Sequence, residues 1–257
     1  MLAAVVLLAG CQAGQPPDSS PSPPITASGA AAATTSIALP DGRTAHLRGL
    51  GGAGTAQLID RIGAELPAAT AAVSDFWGPD WPGEIAVVVT GSQEQFRALA
   101  HGAGDIAAAT TAEGMVFAPG AAKMSDEALR IVVRHELFHY AARDRTVADA
   151  PLWLTEGVAD YVARPAAAPP GAQRAAELAR LPSDTDLQTE GAGRSLGYDR
   201  AWWFSRYVAD RYGPGTLREL YLRAAGPGHP DAETAVRDTL GAGIDEVVLQ
   251  WRQWMSG

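Results

Sequence analysis

The chain reads as an α+β protein in which strands come first and helices make up most of the rest. Three features of its 257 residues carry that reading. Short apolar runs rich in Val and Ile, bounded by Gly and Pro, fall between residues 37 and 118, the pattern of strands set between turns. From residue 126 onwards apolar residues recur every three or four positions, the period of helices with one buried face. At the start of the second region, residues 127–143 predict a helix that is apolar almost all round, which belongs in a domain interior.

Composition sets bounds on partners and stabilisation. With 47% hydrophobic and 19% charged residues, the chain is long enough for one good-sized core plus short additions. A net charge of −9 argues against nucleic acid, because binding a phosphate backbone needs a basic surface. The single cysteine, Cys11, rules out an intramolecular disulfide, leaving core packing and a possible metal ion to hold the fold.

Residues 1–10 form an apolar run too short to span a bilayer but of the right length for the core of an export signal. The run ends in Leu8-Ala9-Gly10-Cys11, which resembles the lipobox of bacterial lipoproteins. That resemblance implies a signal over residues 1–11, lipid on Cys11, and a domain anchored to the membrane outside the cytoplasm. No Lys or Arg precedes the run, so the true start is expected further upstream. Residues 12–36 are rich in Pro, Ser, Ala, Thr and Gly, with Asp18 as their only charge. They have too little large apolar surface to offset the entropy of ordering, so a disordered tether is expected, leading into one domain over 37–257.

Within that domain, residues 37–50 predict a hairpin about the turn Pro40-Asp41-Gly42, with His46 on its surface. Leu58, Ile59, Ile62, Leu66, Ala69 and Val73 keep helical period over 56–76, with Pro67 expected to kink or split the helix. Residues 84–90 predict a buried strand, and Ser92 caps a helix reaching about residue 100. Residues 101–111 are Gly/Ala-rich and give no pattern, whereas 115–118, closed by Pro119-Gly120, predict a further strand. Ser125 or Asp126 caps the apolar helix, and a second helix starts within 151–161. Beyond it come a helix over 172–181, a polar loop over 182–194, and a helix over 198–212 stopped by Gly213-Pro214-Gly215. Thr216 caps the next helix, and two more cover 231–240 and 244–255.

The apolar helix contains His135-Glu136-Leu137-Phe138-His139. Histidines four residues apart lie on one helix face about one turn apart, so their rings can converge on one ion. Glu136, next to the first, can reach a water on that ion. The flanking Val132, Val133, Leu137, Phe138, Tyr140 and Ala141 are uncharged, unlike the flanks of a chance match on an exposed helix. A catalytic zinc site takes three protein ligands and keeps a fourth position open. Glu156, in the next helix, is the third-ligand candidate; Asp149 and Asp160 are alternative carboxylates. A third histidine in the metzincin manner is excluded, because Arg145 stands at its position and Ala142 replaces the required glycine.

Together with Trp153-Leu154-Thr155-Glu156-Gly157-Val158-Ala159-Asp160-Tyr161, the motif resembles the gluzincins, and most closely the peptidase MA-like family. The resemblance implies a zincin-like fold, with a small mixed sheet packed on the His-Glu-x-x-His helix and a mostly helical C-terminal part. It implies one Zn2+ per chain, held by His135, His139 and Glu156, with Glu136 as general base in peptide-bond hydrolysis. It further implies that Asp160 accepts a hydrogen bond from a zinc histidine, that Tyr198 opens a helix and stabilises the oxyanion, and that residues 115–118 are the sheet edge on which substrate adds, where the residues themselves fit a plain core strand equally well. The Gly-Ala-Met-Glu-Asn segment that holds the substrate amine in gluzincin aminopeptidases is missing, and residues 113–117 do not replace it, so an endopeptidase is expected. The alternatives are a zinc-stabilised envelope lipoprotein that binds or assembles without turnover, and a hydrolase of another amide such as a cell-wall peptide.

Overall fold

The computed structural model describes residues 34–257 except 102, 103 and 105. The export signal, Cys11 and the tether up to residue 33 lie outside the described residues. The last three residues assigned to the tether belong to the fold, because β1 spans Thr34–Ala38. It pairs antiparallel with β2, Thr44–Gly49, as the Pro40-Asp41-Gly42 turn requires.

β3, Glu84–Val89, lies parallel to β2. β4, Ala108–Thr110, and β5, Met115–Phe117, complete a mixed sheet of order β1-β2-β3-β5-β4. Register places Leu47 beside Val87 and Val87 beside Met115, a row buried on one face. Alternation sends Val116 to the opposite face, where it packs with Phe96 of α2, Gln93–Leu99. The resemblance made residues 115–118 the sheet edge. Instead β5 is internal, and β4, drawn from the Gly/Ala-rich stretch, is the edge.

The buried row faces α1, Thr55–Trp77, and α3, Asp126–Ala142. α1 runs unbroken through Pro67, contrary to the expected kink or split. Proline deletes one backbone hydrogen bond there, but Leu58, Ile62, Leu66, Ala69 and Val73 are all fully buried, and that burial outweighs the loss. Ser125 caps α3 through the Ala128 N–H. Phe138 of α3 meets Phe76, Trp77 and Tyr221 through edge or tilted ring contacts, so the helix lies in the interior as its apolar pattern demands.

The remainder is helical: α4, Leu152–Ala163; α5, Ala172–Leu178; α6, Asp184–Gln188; α7, Ala192–Tyr212; α8, Pro214–Ala225; α9, Ala232–Leu240; α10, Ile244–Ser256. Residues 182–194 are not a plain polar loop, since Ser183 and Asp186 form a capping box that starts α6. α7 begins at Ala192, so Tyr198 sits in its second turn rather than at its start. No helix among the described residues is long and apolar enough to cross a membrane.

α4 packs closely along α7. A Cβ on Gly157 would stand 2.4 Å from the Ala201 carbonyl oxygen and 2.8 Å from Ser205 Oγ, both in α7. Glycine sets this spacing, because any side chain would push the helices apart. Gly157→Ala should cost about 1–3 kcal/mol and lower Tm by roughly 3–10 °C, as read from thermal melts; an unchanged Tm would contradict the close approach.

Candidate metal centre

α3 and α4 together bring three ligand-bearing side chains to one point. One turn of α3 separates His135 from His139, and their Nε2 atoms stand 3.1 Å apart. Glu156, from the first turns of α4, places Oε2 3.2 Å from His135 Nε2 and Oε1 3.6 Å from His139 Nε2. Ligands about 2.0–2.1 Å from a tetrahedral ion are separated by about 3.3 Å, so this triangle has the size of a zinc site. Among the described residues, these three form the group able to hold a metal ion.

Their ionisation suits that role. Burial works against charge on Glu156, but His139 and His135 outweigh it and hold its pKa far below the usual carboxylate value. Burial also opposes charge on His135, yet Asp160 and Glu156 overcome it and raise its pKa well above the usual histidine value. The cluster pairs an anion with a positive charge among converging donors. A divalent cation satisfies the same demand by displacing the proton.

Asp160, one turn beyond Glu156 in α4, is 4% exposed. Its Oδ1 lies 2.9 Å from His135 Nδ1, while Oδ2 meets the Arg164 guanidinium at 2.5 Å. With Nδ1 donating to Asp160, His135 keeps its Nε2 lone pair for a metal. Asp160 is therefore turned away from the ligand triangle. Asp149, the other alternative, is exposed and lies beside His229, 3.5 Å away.

Glu136, the residue after His135 in α3, is 8% exposed and does not belong to the triangle. Thr110 of β4 donates to it, Oγ1 lying 2.7 Å from Glu136 Oε2. Tyr198 comes in from α7, with ring centroid 6.3 Å from that of His135. Burial first, then the charges of Glu156 and Asp160 and a hydrogen bond to Glu156, raise the pKa of its phenol, which stays a proton donor. Tyr198 thus reaches the metal cluster although its place in α7 differs from the expected one.

Three residues of the centre were not singled out from sequence. Arg164, which also reaches Asp199 at 2.8 Å, follows Asp160 by four positions, a legible helix pairing. Gly157 interrupts an apolar helix, a visible sign of close approach. Thr110 gave no signal, lying at the end of an alanine run.

No protein-family model matches the chain, and no curated protein does. Among solved structures, it is similar to Legionella pneumophila aminopeptidase A in complex with aspartic acid, with a TM-score of 0.55 and 16% identity, over 86% of this chain and 28% of that one. An M1 zinc metallopeptidase from Deinococcus radiodurans gives a TM-score of 0.49 and 21% identity, over 88% of this chain and 52% of that one. The chain thus spans about a quarter to a half of these proteins, and what it shares with the first is the fold.

The geometry yields a direct expectation for metal binding. The protein should take up one zinc ion, and Asp160→Asn should weaken its affinity about 10–100-fold in competition with a chromogenic chelator. Affinity within about twofold of the parent would show that His135 needs no carboxylate behind it.

Proposed function

We propose that the chain is a zinc-dependent peptidase that cleaves within extended peptides, carried outside the cytoplasm on a lipid-modified Cys11. The observation behind this reading is Glu136: a buried carboxylate that follows the ligand His135 in α3 and is not itself one of the three converging groups. Burying a carboxylate is costly, and a metal site closed for structure alone has no use for one beside its ligands. An adjacent general base does use it.

A zinc ion held by His135, His139 and Glu156 supplies a Lewis acid that polarises a carbonyl and lowers the pKa of water to about 7. Glu136 takes a proton from the water as its oxygen bonds to the peptide carbonyl carbon. The C–N bond then breaks, and Glu136 hands the proton to the departing amine. The Tyr198 hydroxyl donates to the carbonyl oxygen as negative charge gathers on it. The free side of β4 offers unpaired backbone groups to an extended peptide, which adds as a further strand.

The expectation of internal cleavage rests on the missing Gly-Ala-Met-Glu-Asn segment. Glu113, in the β4–β5 turn, is exposed, and its N–H is taken up by Thr111 Oγ1 within the turn itself.

A peptide library with free and acetylated N-termini, incubated with the zinc-loaded protein, tests the reading. Internal cleavage of acetylated peptides is expected. Cleavage confined to free N-termini would make it an aminopeptidase, and zinc binding with no cleavage would favour a non-catalytic envelope module. Glu136→Gln should lower kcat about 10²–10⁴-fold with zinc retained. Tyr198→Phe should lower kcat about 10²–10³-fold with little change in KM, and a kcat like that of the parent would remove Tyr198 from the oxyanion site.

A further inference from the structure

We infer that Thr110 is the positioning residue for the Glu136 base: its hydroxyl holds Oε2 and leaves Oε1 as the oxygen that exchanges a proton with water. The role of Glu136 rests on the peptidase reading above; the contact that holds it does not. Thr110 ends the edge strand β4, where it pairs with Met115. Its Oγ1 lies 2.7 Å from Glu136 Oε2 and 2.9 Å from the main-chain carbonyl oxygen of the same residue. Among the described residues, it is the side chain that hydrogen-bonds this carboxylate.

A hydroxyl has one proton to give, and here it has two acceptors on one residue. Of the two, the carboxylate oxygen is the nearer and the stronger acceptor, and takes that proton. Thr110 thereby holds Oε2 through its hydroxyl proton. It also fixes a glutamate side chain that would otherwise sample several rotamers. Because Thr110 belongs to the edge strand, the base is held by the strand on which a peptide adds.

The test compares zinc-loaded parent protein with Thr110→Val, which keeps the shape and loses the hydroxyl, and Thr110→Ser, which keeps the hydroxyl. Four quantities are read: zinc affinity, Tm, kcat and KM on a cleaved peptide, and affinity for a peptidyl hydroxamate whose N–OH proton an oriented Glu136 receives. In Thr110→Val, kcat and hydroxamate affinity should each fall about 10–100-fold, with KM and zinc affinity within about twofold. Thr110→Ser should stay within about threefold of the parent throughout. Should valine disturb the strand, Thr110→Ala repeats the comparison without β-branching.

Unchanged kcat and hydroxamate affinity in Thr110→Val would overturn the inference. So would a parallel loss of zinc affinity and Tm, or a Thr110→Ser protein as impaired as the valine variant. If the parent cleaves no peptide but its hydroxamate affinity falls in Thr110→Val, the peptidase reading fails while the role of Thr110 stands.

Discussion

Asp160 carries two opposite obligations on one buried carboxylate. Toward α3 it accepts a hydrogen bond from His135 Nδ1 at 2.9 Å, and along its own helix it is neutralised by Arg164 at 2.5 Å. Without either partner a charge would be left in the interior without compensation. Arg164 reaches on to Asp199, next to Tyr198, and lies over the Trp202 ring. One line of charge therefore runs from the histidine of α3, through α4, to the helix that carries the phenol. The orientation of His135 and the placement of Tyr198 are set by the same contacts.

That line requires α4 to serve several neighbours at once. Glu156 and Asp160, one turn apart, face the histidines of α3, while Gly157 is turned to Ala201 and Ser205. A helix used on so many sides has no solvent face of any width, which explains why Trp153, Leu154, Val158 and Ala159 are all buried. Trp153 continues the packing outward through Phe204 to Trp251 of the last helix. The C-terminal helices thus support the centre from behind although none beyond α7 contributes a group to it.

What could be read beforehand follows the range of the interactions. His135 and His139 declare themselves through helical spacing, because a turn of helix converts a four-residue interval into a common face, whereas Glu136, Glu156 and Asp160 take their roles from the resemblance of the two segments to gluzincins. The central strand at 84–89 and the amphipathic C-terminal helices are local in the same sense. Thr110 could not be found this way, since its partner is 26 positions away and nothing in an alanine run marks one threonine. The same alanines hid β4, whose strand character comes from pairing with β5 rather than from its own propensity. Pro67 misled for the converse reason: a local rule gave way to the buried face of α1.

Two imidazoles and one carboxylate on a single ion have a spectroscopic signature of their own. X-ray absorption at the zinc edge of the loaded protein should show about four nitrogen or oxygen neighbours at about 2.0–2.1 Å, with the outer-shell scattering of two imidazole rings. A shell of about six oxygens without imidazole scattering would mean that His135, His139 and Glu156 do not hold the metal together.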